Sequence, residues 1–147
     1  MKNIVIATLI ATAAFAASAV EIGLTTAHSE AGERNSTGVT VGQTYGKVGV
    51  TAGFDRTTKG NAQDRYSIVG SYDVVNLGPV VIAAKAGGVY VSNHTGPNGY
   101  ALTAGVGATL PITKQVSLGV NLTRQYGQER VESFNGTRIA AGVKYSF

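Results

Sequence analysis

The chain has 147 residues, no cysteine and a formal net charge of +4. That length fits one domain; disulfide staples and thiolate metal sites are excluded, and the scattered basic residues make no stripe for nucleic acid. Charged residues are only 14% of the chain, against about 25% in typical soluble domains.

Residues 1–19 read as a cleaved secretory signal peptide. Lys2 supplies the positive start, Ile4 to Ala16 the apolar run, and Ala17-Ser18-Ala19 the small-residue cleavage site. The run is shorter than the roughly 20 residues a helical span needs. The expected folded domain is therefore 20–147.

From residue 20 onward the apolar residues recur with period two, the mark of strands with one apolar face. Eight segments show it, near 20–27, 37–45, 47–55, 65–74, 79–91, 100–110, 116–126 and 137–147. Short connections fall near Gly46, at 75–78 and at 111–115. The longer ones, near 28–36, 56–63, 92–99 and 127–136, are rich in Gly, Asn and Ser. Alternating short and long connections predict an up-and-down antiparallel sheet, and closure into a barrel removes its edges.

Each strand sorts into two faces. One carries Val, Leu, Ile and Ala, as in Leu102, Ala104, Val106 and Ala108; the other carries Gly, Thr and Ser, as in Thr103, Gly105, Gly107 and Thr109. The fifth segment is the least clear, because Val81, Ala83, Val89 and Val91 make its second face apolar too. Lys85 is assigned inward, since a charge facing lipid at mid-depth costs about 2–4 kcal/mol.

The aromatics indicate which face points out. Phe54, Tyr66, Tyr90, Tyr100 and Tyr126 lie on the apolar face at the long-loop end. Tyr45, Tyr72, Tyr145 and Phe147 lie on it at the short-turn end. Two aromatic girdles around an aliphatic band are the pattern of a membrane barrel. The predicted fold class is all-β, an eight-stranded up-and-down antiparallel transmembrane β-barrel. The alternative with the faces reversed is a soluble lipocalin-like binder.

The final strand, with Ile139, Ala141, Val143 and Tyr145 alternating up to Phe147, resembles the C-terminal signal of bacterial outer-membrane β-barrel proteins. The whole of 20–147 resembles the small eight-stranded group typified by the OmpA membrane domain and OmpX, in pattern rather than in a long motif. That resemblance implies that Phe147, with Tyr145 and Val143, marks the chain for the barrel-assembly machinery. It implies a bacterial outer-membrane location, contact with outer-membrane lipid and lipopolysaccharide, short turns facing the periplasm and long loops facing outside. It does not extend to peptidoglycan anchoring, as no periplasmic domain follows the barrel.

The polar face carries Glu21, Lys47, Asp55, Arg65, Asp73, Lys85, Arg138 and Lys144. An eight-stranded barrel has an interior only wide enough for side chains to fill, and buried charges must be paired. A packed polar plug is expected, with Glu21–Lys144 and Asp55–Arg65 as neighbouring pairs; a narrow porin-like channel is the alternative. Arg124 lies on the apolar face beside Tyr126. It snorkels to the interface, reflects a slipped register, or contacts a lipopolysaccharide phosphate.

Little points to catalysis. His28 and Ser29 are adjacent on a continuing strand, so their side chains face opposite ways, and the other histidine, His94, lies in a turn-rich loop. A lipid A-modifying enzyme is the remaining catalytic reading. The sequence suggests no metal site and no cofactor. Phe134, the one aromatic in 20–147 outside the girdles, either packs over the barrel mouth or anchors a contact. A non-enzymatic barrel with an envelope-structural or loop-mediated surface role is the reading these features favour; the loop partner is not identified.

Overall fold

The computed structural model describes residues 20–30, 33–59, 62–127 and 135–147; the expected signal peptide and Phe134 lie outside these. Eight strands follow in order: β1 (Val20–Ser29), β2 (Arg34–Tyr45), β3 (Val48–Lys59), β4 (Gln63–Leu77), β5 (Val80–Asn93), β6 (Gly99–Pro111), β7 (Val116–Gly127) and β8 (Gly136–Ser146). Each pairs antiparallel with its neighbours in sequence, and β8 pairs with β1, so the sheet is a closed up-and-down barrel. At the seam, the Phe147 amide donates to the Val20 carbonyl at 3.1 Å.

Two of the short connections are two-residue turns set by glycine. Gly46 has φ 59 and Gly78 has φ 61. A left-handed glycine at the first turn position suits the right-handed twist of paired strands. The hairpins run further than the alternation alone suggests. β3 and β4 extend to Lys59 and from Gln63, because backbone pairing continues where a hydrophobic face is no longer needed. β4 also runs through most of the predicted 75–78 connection and ends at Leu77. A bulge between Asp73 and Val75 breaks its alternation there, and the turn falls at Gly78-Pro79 instead.

The strands are staggered. A register row that starts at Leu110 on β6 passes through Val143, Leu24 and Phe54 and returns to β6 at Tyr100, ten residues away. Stagger of this kind accompanies the tilt of barrel strands, typically 35–45°. Ten residues of strand, about 33 Å, then rise about 25 Å along the axis, the height of a membrane barrel's apolar band.

The faces divide by chemistry. Outward-facing apolar residues are open to the surroundings, Leu24 at 66% and Tyr100 at 69%. Exposed aliphatic side chains on every strand form a continuous belt, far more than a water-soluble surface carries. Inside, the packing relies on small residues. A Cβ on Gly105 would collide with the backbone of Leu122 and Thr123 on β7, and one on Gly87 with Ile68 and Val69 on β4. Glycine at these two positions lets neighbouring strands approach.

On β5, Val89 and Val91 turn inward and meet Ala101 of β6. Val91 is fully buried and Gln125 nearly so, at 2%. The long-loop half of the lumen is therefore packed by an apolar and amide layer.

Candidate functional site

The lumen brings charges together in two layers, six residues apart on β8. Toward the long loops, Arg138 donates from one guanidinium nitrogen to Asp55 Oδ1 at 2.8 Å and to Ser36 Oγ at 3.2 Å. Toward the short turns, Lys144 Nζ donates to Glu21 Oε2 at 2.9 Å, and the Thr44 hydroxyl donates to Glu21 Oε1 at 3.5 Å. Hydrogen bonding to both partners is what permits charge in so narrow a space.

Asp55 and Arg65 are register neighbours on β3 and β4, yet the Asp55 ion pair is with Arg138, from β8. Arg65 is buried at 5% exposure, and its Nε has no hydrogen-bond partner. Side chains reach across the lumen here, a contact that adjacency in sequence cannot suggest. Lys85 points inward and lies over Gly107 near Asn121. Asp73 is half-buried at the short-turn end. Lys47 departs from expectation: it belongs to the Gly46-Lys47 turn and is exposed. Once the chain turns, period two no longer reports a face.

A cavity of about 110 Å³ lies among these groups, lined by Asp55, Arg65, Lys85, Arg138, Lys144 and a set of Thr, Ser, Asn and Gln side chains. The larger hollow, about 720 Å³, is elsewhere. It is an apolar groove on the outside of the barrel beneath Phe54, Tyr66, Tyr90 and Tyr100, with Ala52 and Gly88 among its walls.

Those four aromatics touch in series across β3 to β6, with ring centroids 5.2, 6.3 and 5.1 Å apart. They lie in one register row, so strand tilt makes the row a diagonal. Tyr126 lies next to it on β7, opposite Leu102. On β8, β1 and β2 the outward positions near the long loops are Thr137, His28, Thr26, Asn35 and Thr37, so this end is aromatic on one side and polar on the other. At the short-turn end Tyr145 and Phe147 meet edge to face at 4.9 Å, and Tyr45 and Tyr72 flank Val48. Val143 faces outward two residues before Tyr145 and is exposed.

Above the aromatic row sits a polar cluster of Arg56, Asp64 and His94. Arg56 binds Asp64 in a fork, Nε to Oδ1 at 2.8 Å and a terminal nitrogen to Oδ2 at 3.1 Å. His94 Nε2 lies 3.2 Å from the same carboxylate, and the Arg56 guanidinium is 6.0 Å from the Phe54 ring centre. The Arg56 hydrogen bond is the main cause that holds the Asp64 carboxyl below its ordinary range; partial desolvation opposes it, and His94 adds to it. Arg56 and Asp64 are register partners, which the strand extension beyond Asp55 made invisible in the sequence.

Arg124 faces outward and is exposed, opposite Ala104 and Thr137; its register is not slipped. His28 faces outward with Nδ1 2.8 Å from Asn35 Oδ1, while Ser29 is buried on the inner face. The two cannot act as a base and nucleophile pair. Among the described residues no cluster of three or more metal-ligating side chains forms.

No family model and no curated protein matches the chain. Solved structures do. The N-terminal β-barrel domain of Pseudomonas aeruginosa OprF aligns with a TM-score of 0.74 at 17% identity, covering 88% of this chain and 97% of that one. Neisserial surface protein A aligns at 0.57 and 18% identity, covering 88% and 95%. The Yersinia pestis outer-membrane protein Ail aligns at 0.55 and 13% identity, covering 88% and 99%. Together with the closed barrel and its exposed apolar belt, these likenesses identify the fold as that of the small eight-stranded transmembrane β-barrels of bacterial outer membranes, OmpA- and OmpX-like.

Proposed function

We propose that this protein is exported through a cleaved signal at residues 1–19 and resides in the bacterial outer membrane as a non-enzymatic barrel. Its role is envelope-structural or surface-interacting, through lipid contacts and the long loops. The observation that carries the reading is the inversion of chemistry: aliphatic side chains outside, paired charges within. Such a molecule satisfies its strand backbone by closure and presents an apolar belt to lipid.

The outer rim supports a lipid contact. Arg124 projects from the apolar face on the Tyr126 side, and an exposed arginine there matches the phosphates of lipopolysaccharide in charge and geometry. The groove beneath the aromatic row suits acyl chains. Phe147, Tyr145 and Val143 act in this reading as the signal taken by the barrel-assembly machinery.

Fractionation of cells expressing wild type and a Phe147 deletion tests the proposal. Wild type in the outer membrane, with the deletion depleted there, supports it; wild type soluble in the periplasm rejects it. Lipopolysaccharide co-purifying with wild type and reduced with Arg124→Ala supports the phosphate contact.

A further inference from the structure

The interior has more cations than anions. Four basic side chains, Arg65, Arg138, Lys85 and Lys144, line the central cavity, and Asp55 is the one acidic group that does. Asp55 is taken by Arg138 and Glu21 by Lys144. Among the described residues neither Arg65 nor Lys85 enters an ion pair. Arg65 is buried with its Nε lacking a protein partner. Asp73, the remaining lumen carboxylate among the described residues, is half-buried at the short-turn end and forms no ion pair with Lys85. Burying charge without compensation is expensive, and the closed wall keeps lipid headgroups away from these cations.

We propose that the cavity is a binding site for a small inorganic anion, held by Arg65 and Lys85 and solvated by the surrounding hydroxyls. The site is polar, as an anion requires, and Ser67, Thr103 and Asn121 supply further donors. At about 110 Å³ it has the room of three or four waters at about 30 Å³ each. That admits a halide or a single oxyanion and excludes sugars and nucleotides. The anion is part of the plug: it bridges cations that would otherwise push the two charge layers apart.

The test uses the whole protein folded in detergent micelles. Sodium chloride is titrated against sodium gluconate at equal ionic strength, and the ¹⁵N–¹H resonance of Arg65 Nε is followed by NMR. A saturable displacement with chloride and none with gluconate, whose anion is too large for the cavity, is the expected result. Equal movement in both salts means screening alone, and no movement means no site; either overturns the proposal. In parallel, chloride is expected to raise the Tm of wild type and of Lys59→Met, an exposed control, but not of Arg65→Met. Lys85→Met repeats this arm if Arg65→Met fails to fold, and the wild-type titration needs no variant. A chloride response unchanged in a folded Arg65→Met or Lys85→Met also overturns the assignment. None of these readouts depends on cellular location.

Discussion

At the scale of single residues the lumen is governed by pairing. Arg138 is the ion-pair partner of a buried carboxylate, so Arg138→Met leaves Asp55 charged without that partner. Loss of one partner of a buried pair costs about 3–5 kcal/mol; urea unfolding in lipid vesicles should show a drop of that order. The double variant with Asp55→Asn should recover much of it, because the pair is then removed whole. The exterior rim behaves differently. The Asp64 carboxyl titrates below its ordinary value of 3.8, so over the intervening pH range the unfolded chain binds more protons than the folded one. Its stabilisation is complete above the unfolded pKa and is lost as pH falls through the folded one. The pH dependence of unfolding in that acid window should flatten in Asp64→Asn, while the pH 7 stability changes little, as the Arg56 half of the fork is exposed to solvent.

At the scale of the element, each strand presents one face to each environment, and the two faces fail in different ways. Val106 lies outward in the middle of β6 and is half exposed. Val106→Arg places a charge against lipid and should cost about 2–4 kcal/mol. Its neighbour Gly105 faces in, and Gly105→Ala drives a Cβ into the backbone of β7. Overpacking of this kind costs about 1–3 kcal/mol. Vesicle unfolding of the two variants separates a solvation penalty from a steric one.

Much of this was legible in the sequence. Alternation in residues such as Leu102, Ala104 and Val106 revealed strands and faces, and the energetic cost of lipid-facing charge was enough to turn Lys85 inward. What stayed hidden depends on geometry between strands. The bulge after Asp73 slides the next hairpin turn, so Val75 to Leu77 read as loop. The Arg138 partnership crosses the lumen and follows from stagger around the whole barrel. The Arg56–Asp64 fork follows from pairing that outlasts the apolar pattern, and Lys47 shows the reverse, a pattern that outlasts the strand.

At the scale of the molecule, closure and filling act together. Closure removes the free strand edges, and the layer of Val89, Val91, Ala101 and Gln125 fills the lumen toward the long loops. A barrel packed in this way should show no steady single-channel current in planar bilayers, in contrast with an open pore. The account rests above all on which face meets lipid, and the absence of cysteine makes that directly measurable. A nitroxide attached through Val106→Cys in vesicle-reconstituted protein should relax strongly with oxygen and weakly with a water-soluble nickel chelate, as a label in hydrocarbon does. A label at that position that is immobilised and shielded from both would place Val106 inside the barrel and contradict the account.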